Sequence, residues 1–172
     1  YHRRLVRINR EGSKIGEIPL PEYTSQAIQM GPLRLPIPFS RRLVMCFDPS
    51  GYIWYGINDS YEIFKIAFDS EQTPVIHDSI DVIPLSSADR DSVNKYIELL
   101  KTRYRMASVP GDIIPQVKPI YDGIYLNRRT GEIWVKMIDY NDEGTIFDVY
   151  QSDGRLIRSV RCRIPLFSNP EP

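Results

Sequence analysis

The chain has 172 residues, with 22 Lys and Arg balanced by 22 Asp and Glu, and 42% hydrophobic against 26% charged residues. That composition fits a folded domain and excludes a disordered or collagen-like chain; the missing basic surplus argues against a nucleic-acid surface. No apolar run approaches the roughly 20 residues of a membrane-spanning helix. Its 14 Pro, 11 Tyr and 6 Phe point instead to an all-β chain of short strands punctuated by turns.

In chain order, residues 1–20 open with Leu5–Ile15, a strand, a tight turn ending in Gly12 and a second strand. Residues 21–40 carry Pro21, Gly31, Pro32, Pro36 and Pro38, and read as an irregular crossing or a poorly paired strand. Residues 41–84 hold four short strands, with Asp48-Pro49-Ser50-Gly51 turning into Ile53-Trp54. A helix is expected near 86–106. Ser86 and Asp89 form its capping arrangement, and Val93, Ile97, Leu100 and Tyr104 make one apolar stripe. That stripe is expected to pack on the sheets. Residues 117–166 return to strands, with Gly131 leading into Ile133-Trp134 and Gly154 closing a last hairpin.

These segments repeat. Leu5–Ile15 aligns with Phe147–Ile157, and Phe47–Tyr55 aligns with Leu126–Val135, each placing an Ile-Trp pair two residues past a turn glycine. The unit is four antiparallel strands: one copy near 41–84, one near 117–166, and the last two strands of a third in 1–20. Four strands in units of roughly forty residues match a β-propeller blade, so about two and a half blades are expected with one inserted helix. Gly51 and Gly131 then supply turn geometry, and Trp54 and Trp134 share one structural position in the core between blades.

Two cysteines, Cys46 and Cys162, lie in strand-like runs and read as free thiols, and with only His2 and His77 a zinc site is not expected. Arg155, Arg158, Arg161 and Arg163 alternate with apolar residues, as in a solvated edge strand. The chain opens on Tyr1 rather than Met and shows no signal peptide, which suggests a fragment or a processed product.

The order Pro38–Val44, Asp48–Gly56, Ile83–Ser86, Lys118–Ile124 and Phe147–Tyr150 resembles the C-terminal part of a bacterial six-bladed β-propeller of the NHL/TolB-like class. The resemblance covers most of residues 38–166. It implies a periplasmic or extracellular protein and a partial ring that depends on its remaining blades or on a self-associated copy. In such a fold the loops at one mouth of the central channel are Ser40–Arg42, Asn58–Ser60, Lys118–Asp122 and Asp139–Glu143. They offer Arg41, Arg42, Asn58, Asp59, Lys118, Tyr121, Asp122, Asp139, Asn141 and Asp142 to a polar ligand. No nucleophile elbow, catalytic triad, phosphate loop or dinucleotide fingerprint is visible. The expected function is therefore non-catalytic binding of a protein, peptide or glycan at that mouth, without a cofactor. The alternative implied by the resemblance is a calcium-dependent lactonase or esterase with Asp59, Asp122 and Asp139 at the channel.

Overall fold

The computed structural model describes residues 4–162 except 22, 24, 25, 31, 68–72, 107, 108, 110–112 and 139–143. It is built mainly of antiparallel β-sheet, with one helix. The strands are β1 (Arg4–Ile8), β2 (Lys14–Pro19), β3 (Ala27–Met30), β4 (Leu33–Pro36), β5 (Leu43–Phe47), β6 (Tyr52–Ile57), β7 (Glu62–Ala67) and β8 (Thr73–His77). Helix α1 (Ser87–Tyr104) follows, then β9 (Tyr121–Leu126), β10 (Ile133–Met137), β11 (Thr145–Tyr150) and β12 (Leu156–Cys162). Strands β5 to β8 form one four-stranded meander and β9 to β12 another, while β1–β2 and β3–β4 are separate hairpins.

Local turn chemistry sets the hairpins. Gly51 N–H donates to Asp48 O at 2.9 Å and Gly131 N–H to Asn127 O at 2.8 Å, with φ of 92° and 74° that only glycine adopts without strain. Both glycines sit in exposed turns with open space around them, so their role is conformational and not one of core packing. The matching hairpins of the outer repeat also agree: Asn9 N–H donates to Ser13 O and Gln151 N–H to Arg155 O, each at 2.9 Å.

The β5–β8 sheet is covered on both faces. On one side Ile53, Tyr55 and Ile66 pack with Ile18 of β2. On the other, Val44, Trp54, Ile63 and Ile76 pack with Ile124, Ile133, Val135 and Tyr150 of the second meander. Burial on both faces explains why β6 reads Tyr-Ile-Trp-Tyr-Gly-Ile rather than alternating apolar with polar. At Gly56 the sheets approach too closely for any side chain, because a methyl there would collide with the Tyr121 hydroxyl and the Glu62 carbonyl. The first strands of the two meanders, β5 and β9, lie next to each other.

The two tryptophans part company here. Trp54 is fully buried, 0% exposed. Trp134 is half-buried, and its register partners Tyr125 and Val149 place it on the face of β9–β12 turned away from β5–β8. The expectation that both are core residues between sheets holds for Trp54 and fails for Trp134. Each faces the same way within its own sheet, but no sheet among the described residues lies over the second one.

Residues 21–40 also depart from expectation. They form the β3–β4 hairpin, with Met30 opposite Leu33 and Ala27 opposite Pro36. Pro32 falls in the turn and Pro36 at a strand end, where a missing N–H interrupts little of the ladder. The helix begins as expected, Ser86 Oγ accepting from Asp89 N–H while the Asp89 carboxylate accepts from Ser86 N–H. Its stripe, Val93, Ile97 and Leu100, is buried, yet not against the four-stranded sheets. It packs with Ile28, Ile37 and Leu85 in a core of its own. The two segments that break the repeat cover each other.

The excursion to the helix is clamped at its base. Pro84 bridges Val117, Leu85 N–H donates to Gln116 O at 3.1 Å, and Lys118 N–H donates to Ile83 O at 2.8 Å. β12 is an edge strand with mostly exposed side chains, and Cys46 and Cys162 are free thiols. No described helix is long and apolar enough to cross a membrane.

Candidate functional site: a groove at the loop end of the two meanders

The loop entering β5, the β6–β7 turn and the segment entering β9 meet on one side of the molecule. Asn58 ties them together. Its side-chain oxygen accepts from Arg42 N–H at 2.8 Å, its own N–H donates to Arg42 O at 3.1 Å, and its carbonyl accepts from Ile120 N–H at 2.6 Å. Asn58 thus joins both meanders, its side chain tying the loop that enters β5 and its backbone carbonyl reaching the segment that enters β9, and it is only 1% exposed. Buried polar groups that satisfy backbone partners in this way fix geometry more than they add stability.

Beside Asn58 lies an open groove of about 490 Å³. Pro36, Ile37, Pro38 and Phe39 form one wall, Tyr96 of the helix and Pro119 with Ile138 add apolar surface, and Ser40, Arg41, Arg42, Asn58 and Asp122 supply polarity. Phe39 has φ of 63°, the left-handed region that a bulky L-residue seldom adopts. Ser40 steadies this bend, its hydroxyl lying 2.7 Å from Gln26 O and 2.5 Å from Ile37 O.

The charged side chains pair in a definite pattern. Arg41 faces Asp59, with Nη2 donating to Oδ1 at 3.3 Å and Nε 2.8 Å from Oδ2, the latter off the line of a hydrogen bond. Arg42 makes an ion pair with Asp122 and also donates to the Asp122 backbone carbonyl at 2.9 Å. Lys136 of β10 donates to the other oxygen of the same carboxylate at 3.1 Å. Arg42, Asn58, Arg41 and Asp122, all offered by the mouth loops in the sequence, therefore converge, with Asp59 behind Arg41.

Other sequence candidates go elsewhere. Lys118 is not part of the groove lining; its ammonium lies 2.8 Å from Asp89 at the start of the helix, with side-chain exposures of 13% and 16%. Tyr121 is buried between the sheets, and its hydroxyl has no hydrogen-bond partner. Asp139, Asn141, Asp142 and His2 lie outside the described residues. Sequence reasoning missed Phe39, Tyr96 and Ile138 as lining, and Lys136 as a second cation on Asp122. Among these, only the run Pro36-Ile37-Pro38-Phe39 carried a local signal, as a rigid apolar segment next to Arg41 and Arg42.

The Lys118–Asp89 contact predicts a specific acid response. Hydrogen bonds from Lys118 and from Ser86 hold the Asp89 carboxyl down at about 2. A depressed carboxyl stabilises the fold above the unfolded value near 4, and that contribution is lost as the pH falls from about 4 towards 2. Thermal melts of the native chain should drop over that window, and Asp89→Asn should melt lower at pH 7 but lose less on acidification. An identical pH profile in the variant would show that the pair contributes nothing.

No group of three or more His, Cys, Asp or Glu among the described residues is placed to hold a metal ion. Asp59 and Asp122 each face cationic side chains instead. No protein-family model matches the chain, and no curated protein matches it.

Proposed function

We propose that the chain is part of a β-propeller whose blades are the two meanders, and that it is a binding protein which holds a ligand in the groove beside Asn58. The observation that carries this reading is the convergence of Arg41, Arg42, Asn58 and Asp122 from loops at one end of two repeated sheets onto one concave surface. The blade reading is supported by the front-to-back stacking of the meanders, the Trp54 face of the first on the Ile133 face of the second, and by the adjacency of their first strands, β5 and β9. It also accounts for Tyr125, 50% exposed, standing beside Trp134 on the outer face of β9–β12, where a further blade or a second copy would pack. Ligands of this groove are protein, peptide, glycan or smaller molecules with both a polar and an apolar part.

The alternative is calcium-dependent hydrolysis at the channel. The pairing of Asp59 with Arg41, and of Asp122 with both Arg42 and Lys136, favours binding over that reading, since a calcium ion would have to compete with cations already seated on its ligands. Calorimetric titration with Ca²⁺ separates the two. No stoichiometric site is expected in the native chain. A tight single site that disappears in Asp122→Ala would establish the hydrolase reading instead.

A further inference from the structure

The charge pattern of the groove bears on what it binds. Arg41 is matched by Asp59, and Lys118 by Asp89. Arg42 and Lys136, by contrast, share the single carboxylate of Asp122, which leaves one positive charge in excess among the described groups. Arg42 is the accessible partner, its side chain 51% exposed, and a guanidinium with one edge engaged keeps further N–H donors for a second acceptor.

A second observation points the same way. The Asn58 side chain is buried and its oxygen is committed to Arg42 N–H, but its NH₂ group donates to no residue. The NH₂ is not one of the enclosed, unpartnered side-chain atoms, and with Asn58 lining the groove it is a fixed donor open to an acceptor placed there. The same groove is lined by Phe39, held in its strained backbone conformation, and by Tyr96.

We infer that the groove takes an organic anion: a carboxylate or phosphate head group received by Arg42 and the Asn58 NH₂, joined to a flat apolar body that lies against Phe39, Tyr96 and Pro38. This rests on the groove being the binding site, and it specifies the ligand's charge and shape.

Matched probes test it: 2-naphthoate, 2-naphthyl phosphate, the neutral 2-naphthamide and the cationic 2-naphthylmethylammonium, each titrated by calorimetry and by amide chemical shifts. The two anions should bind about tenfold more tightly than the amide, the ratio a single charge-assisted hydrogen bond sustains, and the cation least. The ratio between carboxylate and phosphate tells which head group the site prefers. Arg42→Gln should bring anion and amide to equal affinity, and Lys136→Gln, which leaves the Arg42–Asp122 pair intact, should lower only the anion affinity. Asp122→Asn should raise it. If the amide or the cation binds as well as the anions while shifting Arg42 and Asn58 amides, the anion inference is overturned and the groove stands as a site. If no probe moves those amides, the groove reading itself falls with it.

Discussion

Replacing Trp54 by Ala should cost about 3–5 kcal/mol, whereas the same change at Trp134 should cost only about 1–2 kcal/mol. The two residues hold equivalent positions in the repeat, so local sequence gives no ground for a difference. Packing does. Trp54 is enclosed between the two meanders, in one cluster with Ile63, Ile76, Ile133 and Val135, and truncation would leave a cavity in an interface whose backbone cannot close over it. Trp134 touches Phe147 edge-to-face with centroids 5.7 Å apart, lies under the Arg158 guanidinium at 5.8 Å, and donates its indole N–H to Glu132 at 3.2 Å. Those contacts are half solvated, and their loss exposes little new surface. The Trp54 indole N–H has no partner, so Trp54→Phe should recover most of the loss. Chemical denaturation of the three variants reads all of this. Equal costs at Trp54 and Trp134 would mean that the outer face of β9–β12 is covered in solution, as a further blade or a second copy would cover it.

The second large effect is alkaline unfolding. Tyr55, Tyr61, Tyr121 and Tyr150 are all buried. Burial pushes the Tyr55 and Tyr150 hydroxyls up to about 12 and raises Tyr121 and Tyr61 as well. At Tyr121 the carboxylates of Asp59 and Glu62 add to the rise; at Tyr61 the hydroxyl, which accepts from Tyr150 at 2.8 Å, donates to the Asp148 carboxylate at 2.8 Å, a bond that requires its proton. The raised values mean that the folded state favours the neutral phenols. Their contribution is complete below the unfolded value near 10 and is lost as the pH climbs from there towards the folded values, at about 1.4 kcal/mol per unit for each tyrosine. Four such groups together approach the whole stability of an ordinary domain, about 5–15 kcal/mol, within about two pH units. The chain should therefore unfold cooperatively between about pH 11 and 12, with tyrosinate absorbance rising in one step as the near-ultraviolet dichroism disappears. Gradual ionisation of these four phenols near pH 10 with the fold intact would show that water reaches the space between the sheets.

Much of the candidate site was legible because its parts sit in loops at the same end of repeated units. Once Ser40–Arg42, Asn58–Ser60 and Lys118–Asp122 are recognised as corresponding loops, their side chains must come near one another, and Arg41, Arg42, Asn58 and Asp122 do. Lys118 was placed correctly along the chain but not in space. The clamp between 83–85 and 116–118 brings the helix start beside it, and Asp89 captures the ammonium. The wall formed by Phe39 and Tyr96 was out of reach of local reasoning, since it exists only where β3–β4 and the helix pack on each other.

What the sequence determined by itself is what short-range forces decide. Positive-φ glycines at 12, 51, 131 and 154 impose the hairpins, the Ser86–Asp89 capping box starts the helix, and strand composition marks which segments pair. The tertiary structure decided which of two equivalent tryptophans is buried, where the helix stripe finds cover, and how one carboxylate comes to serve two cations. Those outcomes depend on which face meets which across tens of residues, and burial and charge pairing act on that meeting of surfaces whatever the spacing along the chain.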